Sequence, residues 1–159
     1  MKKVELKKLV AQNFRSKSFE FEFGAHNAIR GKNRSGKSSV KNAFFWLLTG
    51  ADDIDRTNFN LFDTTIVHTK ENSVPTIVTG VFVIDGVEYE VSRTAKIGWT
   101  RKRGNDEYER KASDDYSFSI DGIERSATEF KSWIEDTFAP VDMLKCMINT
   151  RHFLYNIDD

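Results

Sequence analysis

Gly31-Lys32-Asn33-Arg34-Ser35-Gly36-Lys37-Ser38 reads G-x-x-x-x-G-K-[ST] without departure. Glycines at the two fixed positions permit backbone angles that turn successive N–H groups inward at a phosphate chain. A helix starting at the end of such a loop adds its own unpaired N–H groups and the positive end of its dipole. In that arrangement the backbone amides of residues 33–38 hold the phosphates. Lys37 reaches the β- and γ-phosphates as a point charge, and the Ser38 hydroxyl is placed to ligate Mg²⁺. Four fixed positions also arise by chance, so the flanking sequence has to supply a strand, a loop and a helix in that order.

The flanks fit this order. From Lys37 onward, Val40, Ala43, Phe44, Leu47 and Leu48 recur at the spacing of one buried helix face, and Gly50 is a stop just past its end. Upstream, Asn27-Ala28-Ile29-Arg30 is a short candidate strand running into the loop. Before it, Val4–Val10 alternates loosely and Ser18–Phe23 strictly, with Phe19, Phe21 and Phe23 on one face; Asn13-Phe14-Arg15-Ser16 joins the two as a hairpin connection. Downstream, residues 51–72 are polar and turn-like, a long loop with room for one helical turn. Asp85-Gly86 separates Thr76–Ile84 from Val87–Arg93, and Asp121-Gly122 separates Tyr116–Ile120 from Ile123-Glu124. Both pairs are hairpin signals, because the turn needs positive φ. Ser126 or Thr128 caps a helix through Phe138, with Phe130, Trp133, Ile134 and Phe138 inward, and Pro140 opens another with Met143, Leu144, Met147 and Ile148.

Composition removes whole classes. The 159 residues suit one domain, and 13 Phe with 3 Trp give it a core to bury, which excludes disorder. No run approaches the roughly 20 apolar residues of a membrane span. Residues 1–9 lack a signal peptide's apolar stretch. One cysteine, Cys146, excludes an internal disulfide framework and fits a reducing cytoplasm. The 24 basic and 24 acidic residues cancel, so nucleic-acid binding cannot be argued from net charge.

The loop motif alone does not choose between ATPase, GTPase and kinase. None of the nine glycines has Asp three residues before it and no N-K-x-D occurs, which disfavours a GTPase. The antiparallel look of the strands argues against a small-molecule kinase. The combination of Asn13-Phe14-Arg15-Ser16, a Phe-alternating strand ending at Phe23-Gly24, and Gly31–Ser38 followed by Ser39 resembles the N-terminal lobe of SMC/SbcC/RecF-like, ABC-type P-loop ATPases of DNA repair and chromosome maintenance. Asn33 and the double Ser38-Ser39 are typical of that group. The Asp85-Gly86 hairpin ending at Ser92-Arg93 resembles its β-subdomain, and Met147–Phe153 its closing stretch. Arg34 departs from it, standing where the family usually has Gly; it adds a phosphate contact or restricts the loop.

The resemblance implies an α/β fold of α+β character, a P-loop NTPase lobe with an antiparallel β-subdomain. It implies one lobe over 1–159: hairpin, loop and helix in 1–50, a loop and β-subdomain in 51–125, and helices in 126–159 leading toward a coiled coil and a C-terminal lobe. It implies ATP and Mg²⁺ as cofactors, held by Gly31, Asn33, Arg34, Ser35, Gly36, Lys37, Ser38 and Ser39, with Arg15 either near the nucleotide or a solvated hairpin residue. Implied partners are the C-terminal lobe, a second head, DNA and a nuclease subunit, with no membrane; the implied place is the cytoplasm, at the nucleoid in a bacterium. In that family two heads sandwich two ATP molecules, and the signature motif and Walker B carboxylates come from the C-terminal half.

Those carboxylates are not evident here. Val81–Asp85 fits the first part of a Walker B, four apolar residues and Asp, but Gly86 follows, and a hairpin turn explains Asp85 better. No signature-like L-S-G-G-Q exists. The only glutamine, Gln12, is misplaced for a Q-loop, and Asn149 either supplies a shorter amide there or simply ends a helix. The sequence therefore predicts phosphate binding with negligible hydrolysis by this chain alone. The rival readings are a nucleotide-dependent interaction module without catalysis and a stand-alone P-loop phosphotransferase.

Three further features are noted. Residues 93–103 are basic around Trp99, within a polar stretch from Thr94 to Asp115 that reads as mobile; Lys96, Trp99, Arg101, Lys102 and Arg103 either track a DNA backbone or form an exposed hairpin extension whose charges keep it soluble, and Asp106, Glu107 and Glu109 dilute the patch. Asp52, Asp53 and Asp55 read as a solvated loop rather than a metal site, and the dispersed His26, His68 and His152 suggest no zinc site. Cys146, among apolar residues, reads as core.

Overall fold

The computed structural model describes residues 2–33 and 35–148. Arg34, Asn149 and the Thr150–Phe153 part of the closing stretch lie outside them.

Six strands form one antiparallel sheet: β1 (Val4–Phe14), β2 (Lys17–Glu22), β3 (Thr76–Ile84), β4 (Val87–Lys96), β7 (Asp115–Ile120) and β8 (Ile123–Arg125), in the order β2-β1-β3-β4-β7-β8. Between β4 and β7, β5 (Trp99–Arg101) and β6 (Tyr108–Arg110) make a separate two-stranded hairpin. The helices are α1 (Lys37–Thr49), α2 (Ala127–Thr137) and α3 (Val141–Ile148). The result is a mixed α/β chain on an antiparallel sheet. None of the helices among the described residues is long and apolar enough to cross a membrane.

Alternation decides which face is covered. Along β3, Thr76, Val78, Gly80, Phe82 and Ile84 are buried while the residues between them are half-buried. Leu9 and Ala11 of β1 and Val91 and Ala95 of β4 join that face, and α1 packs there with Val40, Ala43, Trp46, Leu47 and Leu48. Phe130 and Ile134 of α2 and Leu144 of α3 complete the cluster. Gly80 lets α1 come close: a Cβ there would stand 2.7 Å from Phe82 Cε2 and 2.8 Å from Leu47 Cδ2.

Helix α1 is more deeply covered than its apolar spacing suggests. Asn42, Phe45 and Trp46 are buried as well, because loop residues Ala51, Leu61 and Phe62 close over its outer side. Its last turn is held by Arg93 of β4, whose Nε donates to the Leu47 carbonyl at 3.1 Å. The guanidinium lies over the rings of Trp46, Phe118 and Phe130, 5.1–5.7 Å from their centroids. Burial lowers its pKa to about 10. A cation at a helix C-terminus is favourable, and three ring faces compensate the lost water.

Several local expectations hold. Asp85 (φ 48) and Gly86 (φ 86), and Asp121 (φ 51) and Gly122 (φ 74), are the two predicted turns. Ser126 caps α2 with a full capping box: it accepts from the Glu129 amide, and the Glu129 carboxylate accepts from the Ser126 amide at 2.8 Å.

Other expectations change. Asn27–Arg30 is not a strand; it is exposed and pairs with no described strand, and Asn27 instead turns back to bond both the N–H and the C=O of Gly24 at 2.9 Å. The 51–72 loop contains no helical turn. Asp52 is not solvated: its buried carboxylate accepts from the Ile54 and Arg56 amides and from Arg56 Nε. Cys146 is exposed, with Met143 and Met147 beside it on α3, while Leu144 turns into the core. Within residues 94–115, β4 runs on to Lys96 and β5–β6 follow as the hairpin extension that the sequence offered as one reading.

Candidate phosphate-binding site

Helices α1 and α2 start differently. Helix α2 has a capping box. Helix α1 has Gly36 (φ 96, left-handed) at its N-cap, no side-chain cap and no acid in its first turn. The amides of Gly36 and Lys37 donate to nothing among the described residues. Uncapped first-turn amides carry the positive end of the helix dipole and select an anion. The sequence around them agrees: residues 23–51 contain no Asp or Glu but hold Arg30, Lys32, Arg34, Lys37 and Lys41.

The loop before the helix is tight. A Cβ on Gly31 would meet Ser35 Oγ at 2.5 Å, so any larger residue there would have to turn the Ser35 hydroxyl aside. The Ser35 amide donates to the Lys32 carbonyl at 3.2 Å. Lys37 folds back, its Nζ donating to the carbonyls of Gly31 (2.6 Å) and Lys32 (2.7 Å). That places its charge inside the curve of the loop, where a phosphate would sit. A groove of about 320 Å³ runs past the helix start, lined by Lys17, Asn33, Ser35, Gly36, Lys37, Ser38 and Ser39. It continues over Gly36 into a cleft lined by Phe19, Phe21, Ile29, Arg30 and Val40.

The predicted loop residues Gly31, Asn33, Ser35, Gly36, Lys37, Ser38 and Ser39 thus gather at one helix start. Ser38 is exposed and its hydroxyl makes no bond among the described residues, which fits a ligand for Mg²⁺. No group of three or more His, Cys, Asp or Glu side chains among the described residues forms a metal site of its own. Arg15 does not line the groove; its amide bonds the Leu61 carbonyl at 2.8 Å. Lys17 does line it, and the sequence reading passed it over. A signal for it existed: strict alternation puts Lys17 on the same side of β2 as Phe19 and Phe21.

The matching family model, described as an AAA domain, covers residues 8–149. The chain belongs to that family. AAA domains of this family are found in SMC/SbcC-like P-loop ATPases, and membership gives the chain a generic ATP-binding ATPase assignment. Such domains bind nucleotide, usually with Mg²⁺. No curated protein matches the chain.

Asp85 and the basic hairpin lie elsewhere in this AAA domain. Asp85 bonds Lys3 in both directions, accepting from its amide at 2.8 Å and donating its own N–H to its carbonyl at 2.9 Å. Lys3 is at the far end of β1 from Phe14 and its pair Lys17, eleven residues or ~36 Å of strand away. Asp85 is a turn residue and not a Mg²⁺-orienting carboxylate. On the basic hairpin, Trp99 is half-buried against the core with its indole N–H buried and unpaired. Arg101 pairs with Asp106, while Lys96, Lys102 and Arg103 are exposed without an ionic partner among the described residues. A hollow of about 560 Å³ is the open tip of this hairpin, lined by residues 101–106.

Proposed function

We propose that this AAA domain is the ATP-binding lobe of an SMC/SbcC-like ATPase head that serves DNA repair, recombination or chromosome maintenance. The observation that carries this reading is an uncapped helix start joined to a complete phosphate loop on an antiparallel sheet. The loop amides and Lys37 hold the phosphate chain, and Ser38 ligates Mg²⁺, which when bound neutralises phosphate charge. Lys37 already sits among the Gly31 and Lys32 carbonyls, so it meets the anion from a fixed position.

Binding and hydrolysis separate in this reading. Hydrolysis needs a carboxylate or amide to position the attacking water, and the groove is lined by no Asp or Glu. A completing lobe or a second head supplies that group, and ATP acts chiefly as a clamp between heads. The test is calorimetric binding of Mg·ATP together with phosphate release. The wild type binds ATP and releases phosphate at the buffer rate. Lys37→Ala loses about 10- to 100-fold in affinity, the worth of a charge-assisted hydrogen bond. Unchanged affinity in Lys37→Ala would refute the phosphate-loop reading, and turnover present in wild type but lost in that variant would refute the split between binding and hydrolysis.

A further inference from the structure

We propose that Lys17 is a second phosphate-binding cation of this site, an inference that rests on the phosphate-loop reading. Lys17 comes from the β1–β2 turn, far from the loop in sequence. Its Cγ, Cδ and Cε lie 3.8–4.0 Å from the place a Cβ on Gly36 would occupy. The stem therefore lies along the uncapped start of α1 and the ammonium is carried into the groove shared with Asn33, Ser35, Lys37, Ser38 and Ser39.

The charge around Lys17 is left open. Lysines toward the other end of β1 are paired, Lys3 and Lys7 with Glu5 and Lys8 with Glu20. Lys17 has no ionic partner among the described residues, and no acid lines either the groove or the cleft beside it. Lys37 is turned inward onto two carbonyls, so Lys17 is the cation at the helix start with its donors uncommitted.

The backbone that aims Lys17 is unusual. Asn13 (φ 55), Arg15 (φ 50) and Ser16 (φ 62) all adopt the left-handed region within four positions, and none is glycine. Such conformations persist only where the surroundings enforce them. Here the Arg15 amide donates to Leu61, the Thr64 amide donates to Ser16 Oγ, Asn13 Nδ2 donates to the Pro75 carbonyl and Thr76 Oγ1 donates to the Asn13 carbonyl. Four tethers to residues 61–76 hold an unfavourable two-residue turn, and the first residue after it is Lys17. A turn kept for connection alone would favour Asn-Gly. The geometry points to a turn kept for where it places the next side chain.

The experiment measures Kd for Mg·ATP and for inorganic tripolyphosphate, at low and high salt, on wild type, Lys17→Met, Lys17→Arg and Lys37→Ala. Lys17→Met should weaken both ligands about tenfold at low salt and less at high salt, because a screened charge has been removed. Lys17→Arg should recover most of the loss, and the ligand-free Tm should not move, since Lys17 is exposed. Loss of binding in Lys37→Ala with unchanged affinity in Lys17→Met would overturn this inference while leaving the phosphate loop standing. A wild type that binds neither ligand would overturn both. A Tm that falls in parallel with affinity in Lys17→Met and Lys17→Arg alike would mean a structural lysine and also overturn it.

Discussion

Gly80→Ala probes the contact on which the phosphate-binding helix rests. Gly80 lies on β3 directly under α1, and its φ is not in the left-handed region, so the substitution adds one methyl group without backbone strain. That methyl would stand 2.7 Å from Phe82 Cε2 and 2.8 Å from Leu47 Cδ2, where ordinary contact begins near 3.4 Å. Phe82 is 1% exposed and Leu47 0%, so neither can turn toward solvent. Overpacking of this kind costs about 1–3 kcal/mol. Replacing glycine by alanine in a strand gives back about 0.5–1 kcal/mol of unfolded-chain entropy. The net expectation is a loss of about 1–2 kcal/mol, a Tm lower by roughly 2–8 °C for a chain of this size. Chemical and thermal denaturation read it directly. Gly24→Ala is the control, having nothing within 4 Å of its added methyl, and should stay within about 0.5 kcal/mol. Gly80→Ala with Leu47→Ala should show coupling, since the second change removes one of the two collisions. A Gly80→Ala protein as stable as wild type would refute the claim that α1 is seated by close approach at this point.

Asp52→Asn should cost about 1–3 kcal/mol at pH 7, because the amide cannot accept all three bonds. Burial alone would raise the Asp52 pKa, but hydrogen bonds from Arg56 and Ile54 hold it below the usual range. A depressed carboxylate stabilises above its unfolded pKa and stops doing so as pH falls through the folded value, so the gap between wild type and variant should close below about pH 4; a gap constant from pH 7 to pH 3 would contradict this. Ser126→Ala removes the α2 cap and should lower stability by about 1 kcal/mol in urea titration. Asp85→Ala loses the bond from the Lys3 amide and leaves a left-handed turn position without its favoured side chain, costing about 1–2 kcal/mol. Its Mg·ATP affinity should match wild type, and a loss beyond threefold would restore a role for Asp85 at the nucleotide.

What could be read from the sequence was local. The loop motif, the helix from Lys37, the Asp-Gly turns and the Ser126 cap each depend on a few consecutive residues whose conformational preferences decide the outcome. The misreadings concern long-range contacts. Asn27–Arg30 has strand composition, but a strand exists only where another offers its hydrogen bonds, and none of the described ones does. Trp99 looks like a stacking residue among basic neighbours until β4 carries it back onto the core. Asp52 looks solvated until Arg56 closes over it, and Cys146 looks buried until α3 turns Leu144, and not Cys146, against the core. At the site itself, Lys37 and Ser38 announce themselves by motif. Lys17 does not, because its place beside Gly36 is set by a turn tied to residues 61–76.

The clamp on the last turn of α1 has a mechanical consequence. Arg93 grips the Leu47 carbonyl and three rings at one end of the helix, while the start of the helix ends in a glycine with no cap. Thirteen residues make a rod ~20 Å long, gripped by Arg93 near Leu47 and uncapped at Lys37. Force applied at the phosphate end acts on the longest available lever arm. The response is a tilt about the Arg93 bearing rather than a slide along the sheet, and Val40, near the phosphate end, is displaced more than Phe44, near the bearing.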